Sequence, residues 1–381
     1  MKSHASLDYR ASALGLVVLL LGSGLSRAEE PLRFNRDVRP ILSENCFACH
    51  GPDSAARKAD LRLDQRDVAI SMDAIAPGDP ETSEMIFRIE ETDPTIVMPP
   101  PKSDKVLTAE EKAILRRWIA EGAEYEPHWS LIAPQKPEPP QVSDESWVKN
   151  PIDRFVLAKL DKAGLKPAPE ADRPTIARRL SLDLTGLPPD PKLVDEFVND
   201  DQPGAYERLV DRLLASPEWG EHRAHYWLDA SRYADTHGIH FDNFRETWAF
   251  RDWVIDAYNK NMPFDQFTIE QLAGDLLPDP SLDQLVASGF NRNHITTNEG
   301  GTIPEEYLVL YTRDRTETAS QVWMGLTTGC AVCHDHKFDP LSQKEFYQLS
   351  AFFNNTTQGA MDGNRKDTPP TVFVPSDDDR Q

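Results

Sequence analysis

All four cysteines of this 381-residue chain lie in two copies of one short pattern. Residues 46–50 read Cys-Phe-Ala-Cys-His, and residues 330–334 read Cys-Ala-Val-Cys-His. Both copies are C-x-x-C-H, the sequence at which c-type haem is covalently attached. With 10 histidines in 381 residues, both cysteine pairs would be followed by histidine by chance in fewer than about one case in a thousand. The pattern therefore predicts two covalent haem groups.

The spacing within the motif fits the chemistry of haem attachment. Cysteines three residues apart project from the same side of a helical turn, so both thiols can add to the two vinyl groups of one porphyrin. The histidine that follows can then present its imidazole to the iron. We therefore predict His50 and His334 as the proximal iron ligands. The predicted thiol anchors are Cys46, Cys49, Cys330 and Cys333.

Two other uses of paired cysteines compete with haem attachment. Two C-x-x-C pairs could supply the four thiolates of a structural zinc site, and a single pair could act as a redox-active dithiol. Neither use explains why a histidine follows each pair directly. We therefore rank zinc binding and dithiol chemistry below haem attachment.

A haem iron usually takes a sixth ligand, and three methionines between the motifs are candidates for the first haem. Met98 lies in Val-Met-Pro-Pro-Pro, residues 97–101, a stiff polyproline-like stretch that fixes where the thioether points. Met72 lies in a predicted turn, and Met85 belongs to an amphipathic stretch in which a methionine usually fills the core. We predict Met98 as the ligand and keep Met72 and Met85 as alternatives.

No methionine near the second motif lies in a loop like that of Met98. Met324 precedes Cys330 on the same approach to the porphyrin, so it would struggle to reach the opposite face. His336 follows His334 too closely for two imidazoles to bind one iron from opposite sides. We therefore expect a sixth position that is open or is filled by a histidine distant in sequence. The leading names are His237 and His225.

Charged residues cluster on or just after one predicted helix of the second half. They are Asp229, Arg232, Asp235 and His237. Asp229 and Arg232 are three residues apart, which places them on one helix face. Arg232 could clamp a haem propionate, or the group could form a catalytic pocket over the second haem. A buried salt bridge that joins two helices is an equally strong reading.

The elements around the first motif predict a small domain from about residue 30 to residue 125. A short helix at residues 35–42 leads into the motif, and a longer one closes the domain. The closing helix begins at a capping box formed by Thr108 and Glu111, and it ends at Gly122. This order of helix, haem motif, methionine loop and closing helix is typical of a small class I cytochrome c.

The rest of the chain divides into three parts. Residues 126–149 are a linker, in which residues 133–140 contain four prolines and should be extended. Residues 150–356 show helical periodicity almost throughout, and residues 357–381 form a polar tail. No run of alternating polar and apolar residues indicates a strand. The predicted fold class is therefore mainly α, a cytochrome c-like domain followed by a larger helical domain with the second motif.

The N-terminal residues 1–28 have the features of a secretory signal peptide. Lys2 and Arg10 precede an apolar run over residues 11–25, and small residues ending at Ala28 fit a cleavage site. An uncleaved anchor helix is the alternative, but the run is shorter than the ~20 residues that a bilayer requires. We expect an exported or periplasmic protein with no membrane span after cleavage.

The charge balance narrows the choice of partners. The chain has 41 basic and 63 acidic residues, a formal net charge of −22. A nucleic-acid-binding protein needs a dense basic stripe to displace the counterions of the phosphate backbone, and no such cluster occurs here. We therefore exclude nucleic acid and expect redox partner proteins.

Longer motifs resemble a known protein family. Residues 34–42, 46–53 and 98–100 look like the planctomycete-type cytochrome c domain. Several stretches of the second half resemble the large helical domain of unknown function that follows it: residues 151–155, 179–189, 227–236, 289–293 and 333–340. The resemblance implies haem binding and electron transfer without naming a substrate. Such proteins generally continue into a third domain, so we expect a partner that carries it.

Two classes of function remain open. The chain could be a two-haem electron carrier, with the large helical domain as a docking body. Alternatively it could be an oxidoreductase, in which one haem moves electrons and the other has an open iron face over a substrate pocket. The coordination of the second iron distinguishes the two classes, since a carrier needs no open position.

Overall fold

The computed structural model describes residues 30–239 and 241–375. Over these residues the protein is mainly α-helical, as predicted, and contains no strand beyond two isolated β-bridges. The predicted signal peptide and residues 376–381 of the predicted tail lie outside the described residues. Within the described part, no helix is both long and apolar enough to cross a bilayer.

The described residues form fifteen α-helices, joined by short 3₁₀ and π turns. The helices are α1 (Arg39–Asn45), α2 (Phe47–His50), α3 (Arg66–Ser71), α4 (Glu84–Glu90), α5 (Ala109–Ala120), α6 (Pro151–Ala163), α7 (Arg173–Thr185), α8 (Pro191–Val198), α9 (Ala205–Leu214), α10 (Pro217–Ala230), α11 (Trp248–Asn259), α12 (Phe264–Ala273), α13 (Leu282–Ala287), α14 (Pro304–Ala319) and α15 (Gln343–Ser350).

Local signals in the sequence explain where several helices begin. The predicted capping box is present at Thr108, and the same arrangement occurs at Ser281 and Ser342; each side chain accepts a hydrogen bond from the backbone N–H three residues on. Asn150 caps α6 and Pro151 occupies its first position. These caps satisfy backbone donors that the first turn of a helix leaves without partners.

The chain divides into two compact units. The first contains residues 30–41 and 74–126, and its core forms where α5 packs on the N-terminal turn and on α4. Phe34 stacks on Tyr125 with ring centroids 4.2 Å apart, and Trp118 packs against both rings. The closing helix thus packs against the N-terminal segment, as the sequence predicted.

The second unit contains residues 42–73 and 127–375. Its largest described core lies between α10, α11, α12 and the turn that follows α13, where aromatic side chains pack edge to face. Phe290 at its centre is only 1% exposed and packs against Trp323, with ring centroids 4.7 Å apart. A smaller core joins α7, α8 and α9. These two cores hold the helical array that carries the second motif.

The grouping of residues 42–73 with the second unit differs from the boundaries read from the sequence. The only buried apolar side chains of this segment are Leu42, Phe47, Leu63 and Ala69. Four such side chains make no core of their own, so the segment must complete its packing elsewhere. Both C-x-x-C-H motifs therefore fall within one compact unit.

Candidate haem-attachment sites

The first motif is built on a short helical turn. Cys46 immediately precedes α2, and its backbone N–H donates to Leu42 O over 2.8 Å. Gly51 follows the turn. Only glycine fits at this position, because a Cβ would lie 2.4 Å from Phe47 O. Cys49 is exposed and Cys46 is partly buried. The two thiols are therefore three residues apart on one helical turn, as haem attachment requires.

The properties of the Cys46 thiol argue against the dithiol alternative. Burial raises the pKa of Cys46 to about 12, and the neighbouring Cys49 adds to the increase. A redox-active dithiol needs a thiol with a lowered pKa, since the thiolate is the reactive form. All four cysteines of the chain are free thiols in this structure.

His50 is held by a hydrogen bond at one ring nitrogen. Its Nδ1 lies 3.2 Å from the backbone carbonyl oxygen of Lys58, which can only accept. Nδ1 must then carry the proton, and Nε2 carries the lone pair that a metal takes. The loop that supplies this carbonyl is tied back to the motif, because Lys58 N–H donates to Cys49 O over 2.7 Å and Leu63 N–H donates to His50 O over 2.8 Å.

The second motif is braced by the helix that follows it. Its first residues form a 3₁₀ turn, Gly329–Val332, whose last carbonyl accepts two hydrogen bonds from α15. Gln343 Nε2 donates to Val332 O over 2.9 Å, and the Tyr347 hydroxyl donates to the same oxygen over 3.1 Å. The Gln343 N–H also bonds Asp335 Oδ1 over 2.9 Å. Cys330 and Cys333 are both exposed.

His334 repeats the arrangement found at His50. Its Nδ1 lies 2.7 Å from the backbone carbonyl oxygen of Asp335, which again places the proton on Nδ1. A hydrogen bond from the ring nitrogen that does not face the metal fixes the tautomer and orientation of a metal-binding histidine. Both motifs therefore combine two thiols on one turn with a histidine whose Nε2 has the protonation state that iron requires. The residues present fit a c-type haem at each motif.

The three candidate methionines have different surroundings. Met85 is 7% exposed within the core of the first unit, which matches its reading as core filler. Met72 follows α3 and is 42% exposed. Met98 is partly buried, and its N–H donates to Arg88 O over 2.9 Å, so the backbone of its loop is fixed within the first unit. The assignment of Met98 to the first iron stays a prediction.

The two histidines proposed for the second iron also differ. His225 lies exposed on α10. His237 is 4% exposed, and its Nδ1 accepts a hydrogen bond from Ile239 N–H over 3.2 Å. Because Nδ1 accepts, Nε2 carries the proton, and this Nε2 is buried without a hydrogen-bond partner among the described residues. To bind iron through Nε2, His237 would have to release the bond from Ile239.

The cluster around Arg232 does not form one pocket; the structure shows the other reading of the sequence, a salt bridge that joins two helices. Asp229 is exposed on α10, and Asp235 accepts a hydrogen bond from the Tyr233 hydroxyl over 2.6 Å at the surface. The Arg232 guanidinium pairs instead with Asp314 of α14. An ion pair between elements distant in sequence has replaced the expected contact along one helix face.

One polar group near the second motif was missed from the sequence. The Asp339 carboxylate lies 3.5 Å from Nδ1 of His336 and 3.5 Å from Nε2 of His128. The backbone N–H of Asp339 also donates to His336 Nδ1 over 2.8 Å. His128 lies in the linker, about 210 residues before Asp339, so no local spacing connects the two. These contacts hold the His336 side chain in the loop after His334.

Two family models match separate segments of the chain. Residues 46–102 match the model described as Planctomycete cytochrome C. Residues 151–358 match PSCyt2, described as a protein of unknown function (DUF1549). No curated protein and no solved structure matches the chain.

Proposed function

We propose, from the premise that this chain belongs to the PSCyt2 (DUF1549) family and includes a planctomycete cytochrome c segment, that it is an exported c-type cytochrome with two haem groups that transfers electrons. A bound haem supplies one-electron redox chemistry. The observation that carries the proposal is the shared geometry of His50 and His334, each bonded through Nδ1 to a backbone carbonyl. A zinc site built from the four cysteines would leave both histidines without a role, and a dithiol acts through its thiolate without a histidine ligand.

The placement of the two motifs supports electron transfer between them. The backbone N–H of Leu63 donates a hydrogen bond to His50 O. The preceding residue, Arg62, forms an ion pair with Asp64 over 2.5 Å. The bonds to Asp64 raise the pKa of Arg62, and the charge of Asp335 beside His334 raises it further. Both stretches belong to the second unit, and the effect of the Asp335 charge on Arg62 supports their placement as neighbours in this proposal. A short path between the two haems is the proposed consequence.

The electrostatics also constrain the partners we propose. A net charge of −22 favours redox proteins that present a basic face, because complementary charge speeds encounter. An oxidoreductase is the second candidate function, favoured by the bond at His237 Nδ1 that opposes its use as a sixth ligand.

Intact-mass measurement on denatured protein tests the two-haem proposal. Protein expressed with a working haem-attachment system is expected to carry two haem adducts, because both motifs provide thiols and a correctly protonated histidine. The variant with Cys330→Ala and Cys333→Ala is expected to lose one adduct, and Cys46→Ala with Cys49→Ala is the matched control for the other. The second haem would be excluded if the native chain carried a single adduct. That adduct would persist in the Cys330→Ala, Cys333→Ala variant and be lost in the Cys46→Ala, Cys49→Ala variant.

A further inference from the structure

Four arginine side chains gather in the second unit around residues 291–297. They are Arg232, Arg245, Arg292 and Arg315. Arg292 belongs to this stretch, Arg315 bonds the carbonyl of Asn291, and Arg245 bonds the hydroxyl of Thr296 over 2.7 Å. Arg232 pairs with Asp314, the chain neighbour of Arg315. None of the four was expected from the sequence to meet the others.

Arg315 is buried with neutral partners only. It is 2% exposed, and its Nε donates to Asn291 O over 2.8 Å. Its Nη2 donates to His294 Nε2 over 2.8 Å and to Gln358 Oε1 over 2.6 Å, while Nη1 reaches Thr356 Oγ1 over 3.3 Å. Burial, followed by the charge of Arg315, lowers the pKa of His294 to about 3, so this histidine is neutral and acts as an acceptor.

Arg292 and Arg245 bond the segment that follows residue 356. Arg292 donates to Pro370 O over 2.8 Å and to Thr368 O over 3.0 Å, while its Nε is buried with no partner in the described chain. Arg245 pairs with the carboxylate of Asp362, which is 3% exposed. Of these two arginines, only Arg245 has a carboxylate partner among the described residues.

Arg232 occupies a backbone position where a helix usually ends in glycine. It follows α10 with φ of +61°, and the next residue, Tyr233, donates its N–H to Leu228 O over 2.9 Å. The left-handed conformation is costly for a side chain as long as arginine. It directs the guanidinium inward, where Nη1 meets Asp314 while Nε and Nη2 are buried without a described partner.

The charges of this set do not balance. Four guanidinium groups are paired with two carboxylates, those of Asp314 and Asp362, among the described residues. Burial, followed by the charge of a neighbouring arginine, lowers the pKa of Arg232 and of Arg315 to about 10, so both stay protonated at neutral pH. Buried charges are normally compensated, because desolvation is costly. Two positive charges in excess are therefore notable in a chain whose net charge is −22.

We infer that these four arginines, the arginine site, bind a group with two negative charges: a tetrahedral oxyanion or a pair of carboxylates. Guanidinium groups hold both kinds of anion through paired N–H donors. Two sources could supply this chemistry: a free oxyanion such as sulfate or phosphate, or the two propionates of the haem at the second motif. Only the propionate source rests on the proposed function.

The course of α14 connects the arginine site with the second motif. This helix carries Asp314 and Arg315, and one turn on it carries Glu317. The Glu317 carboxylate lies 3.0 Å from where a Cβ would stand on Gly329, the residue before Cys330. The helix α14 therefore contributes both to the arginine site and to the surroundings of the second motif. For this reason the test must distinguish the propionates of a haem at that motif from a free oxyanion.

Direct binding of sulfate to the full-length, haem-loaded protein tests the inference. Isothermal titration is the suitable measurement, because sulfate raises the melting temperature of most proteins through exclusion from their surfaces. We expect saturable binding at a single site at millimolar sulfate, with chloride at equal ionic strength giving no saturation. Arg232→Gln should weaken sulfate binding at least tenfold. This variant is preferred because Arg232 makes no hydrogen bond to the backbone through its side chain.

The control variant is Arg173→Gln. Arg173 also donates to backbone carbonyls, those of Phe197, Val198 and Asp200, but lies at α7, outside the arginine site. Its replacement should leave the sulfate affinity unchanged. Arg315→Lys provides a second variant that keeps the buried charge if Arg232→Gln fails to fold, and we expect it to weaken binding through loss of the planar fork.

To identify the source of the anion, the sulfate titration is repeated on the Cys330→Ala, Cys333→Ala variant. This variant cannot attach the second haem. Sulfate binding to the haem-loaded chain indicates a free oxyanion. Binding only to the cysteine variant indicates that propionates fill the site. Absence of saturable binding in both proteins, or binding that both arginine variants leave unchanged, would overturn the inference. A chain that carries one haem yet binds sulfate would refute the two-haem proposal alone.

Discussion

Met98→Ala is expected to abolish the methionine-to-iron charge-transfer absorption and to lower the potential of the first haem by about 0.15 V, a fraction of the ~0.8 V that axial ligands span. A thioether stabilises the reduced iron more than water or an anionic ligand does, so its loss favours the oxidised state. The family match over residues 46–102 includes both His50 and Met98, and the proline-rich stretch after Met98 fixes its backbone. The near-infrared spectrum and a potentiometric titration measure the two effects.

Met72→Ala is the matched control, because Met72 is 42% exposed and its truncation removes little packing. We expect its spectrum and potential to match those of the native chain. Met85 is buried in the core, so Met85→Leu is the suitable test there, since it conserves volume while removing the sulfur. A native spectrum in Met98→Ala, with loss of the absorption in one of the other two variants, would transfer the ligand role to that methionine.

Features that depend on neighbours three or four residues apart could be read from the sequence. The capping boxes at Thr108, Ser281 and Ser342 are examples, because each uses a side chain and a backbone group of the same turn. The two C-x-x-C-H motifs are local in the same sense, because each is contained within five consecutive residues. Haem attachment at each of them stays a prediction.

Pairings between distant elements could not be read in this way. Arg232 and Asp229 have the spacing of a helical pair, yet Arg232 leaves the helix in a left-handed conformation and meets Asp314. The contact of His128 with Asp339 likewise joins residues on either side of most of the second unit. Such contacts depend on how helices pack, and helix packing depends on side-chain shapes that no local pattern encodes.

The grouping of residues 42–73 illustrates the same limit at the level of domains. Their sequence continues the small cytochrome c pattern, but only a few of their side chains are buried apolar groups. A segment with so little core of its own takes its place from the partners it meets, which the order of motifs along the chain does not specify. The proline-rich residues 133–140, by contrast, are exposed and free of helix, as their composition predicted.

The second haem is expected to have the lower potential of the two, by about 0.1 V or more within the range that axial ligands set. The reason is that no methionine is placed to stabilise its reduced iron, whether its sixth position is open or is filled by an imidazole. A potentiometric titration of the full chain should show two waves. The wave at lower potential should disappear in the Cys330→Ala, Cys333→Ala protein and persist in the Cys46→Ala, Cys49→Ala protein.

The coordination of the second iron follows from the protein that lacks the first haem. If the sixth position is open, carbon monoxide should bind its reduced form and shift the Soret band, and His237→Ala should change neither the binding nor the potential. This outcome is expected because the Ile239 N–H bond keeps the Nε2 proton on His237. An exposed His225 provides the control substitution, His225→Ala, with no expected effect. Loss of the native spectrum in His237→Ala would identify a bis-histidine iron, and a higher potential for this haem than for the first would contradict the expected order of the two potentials.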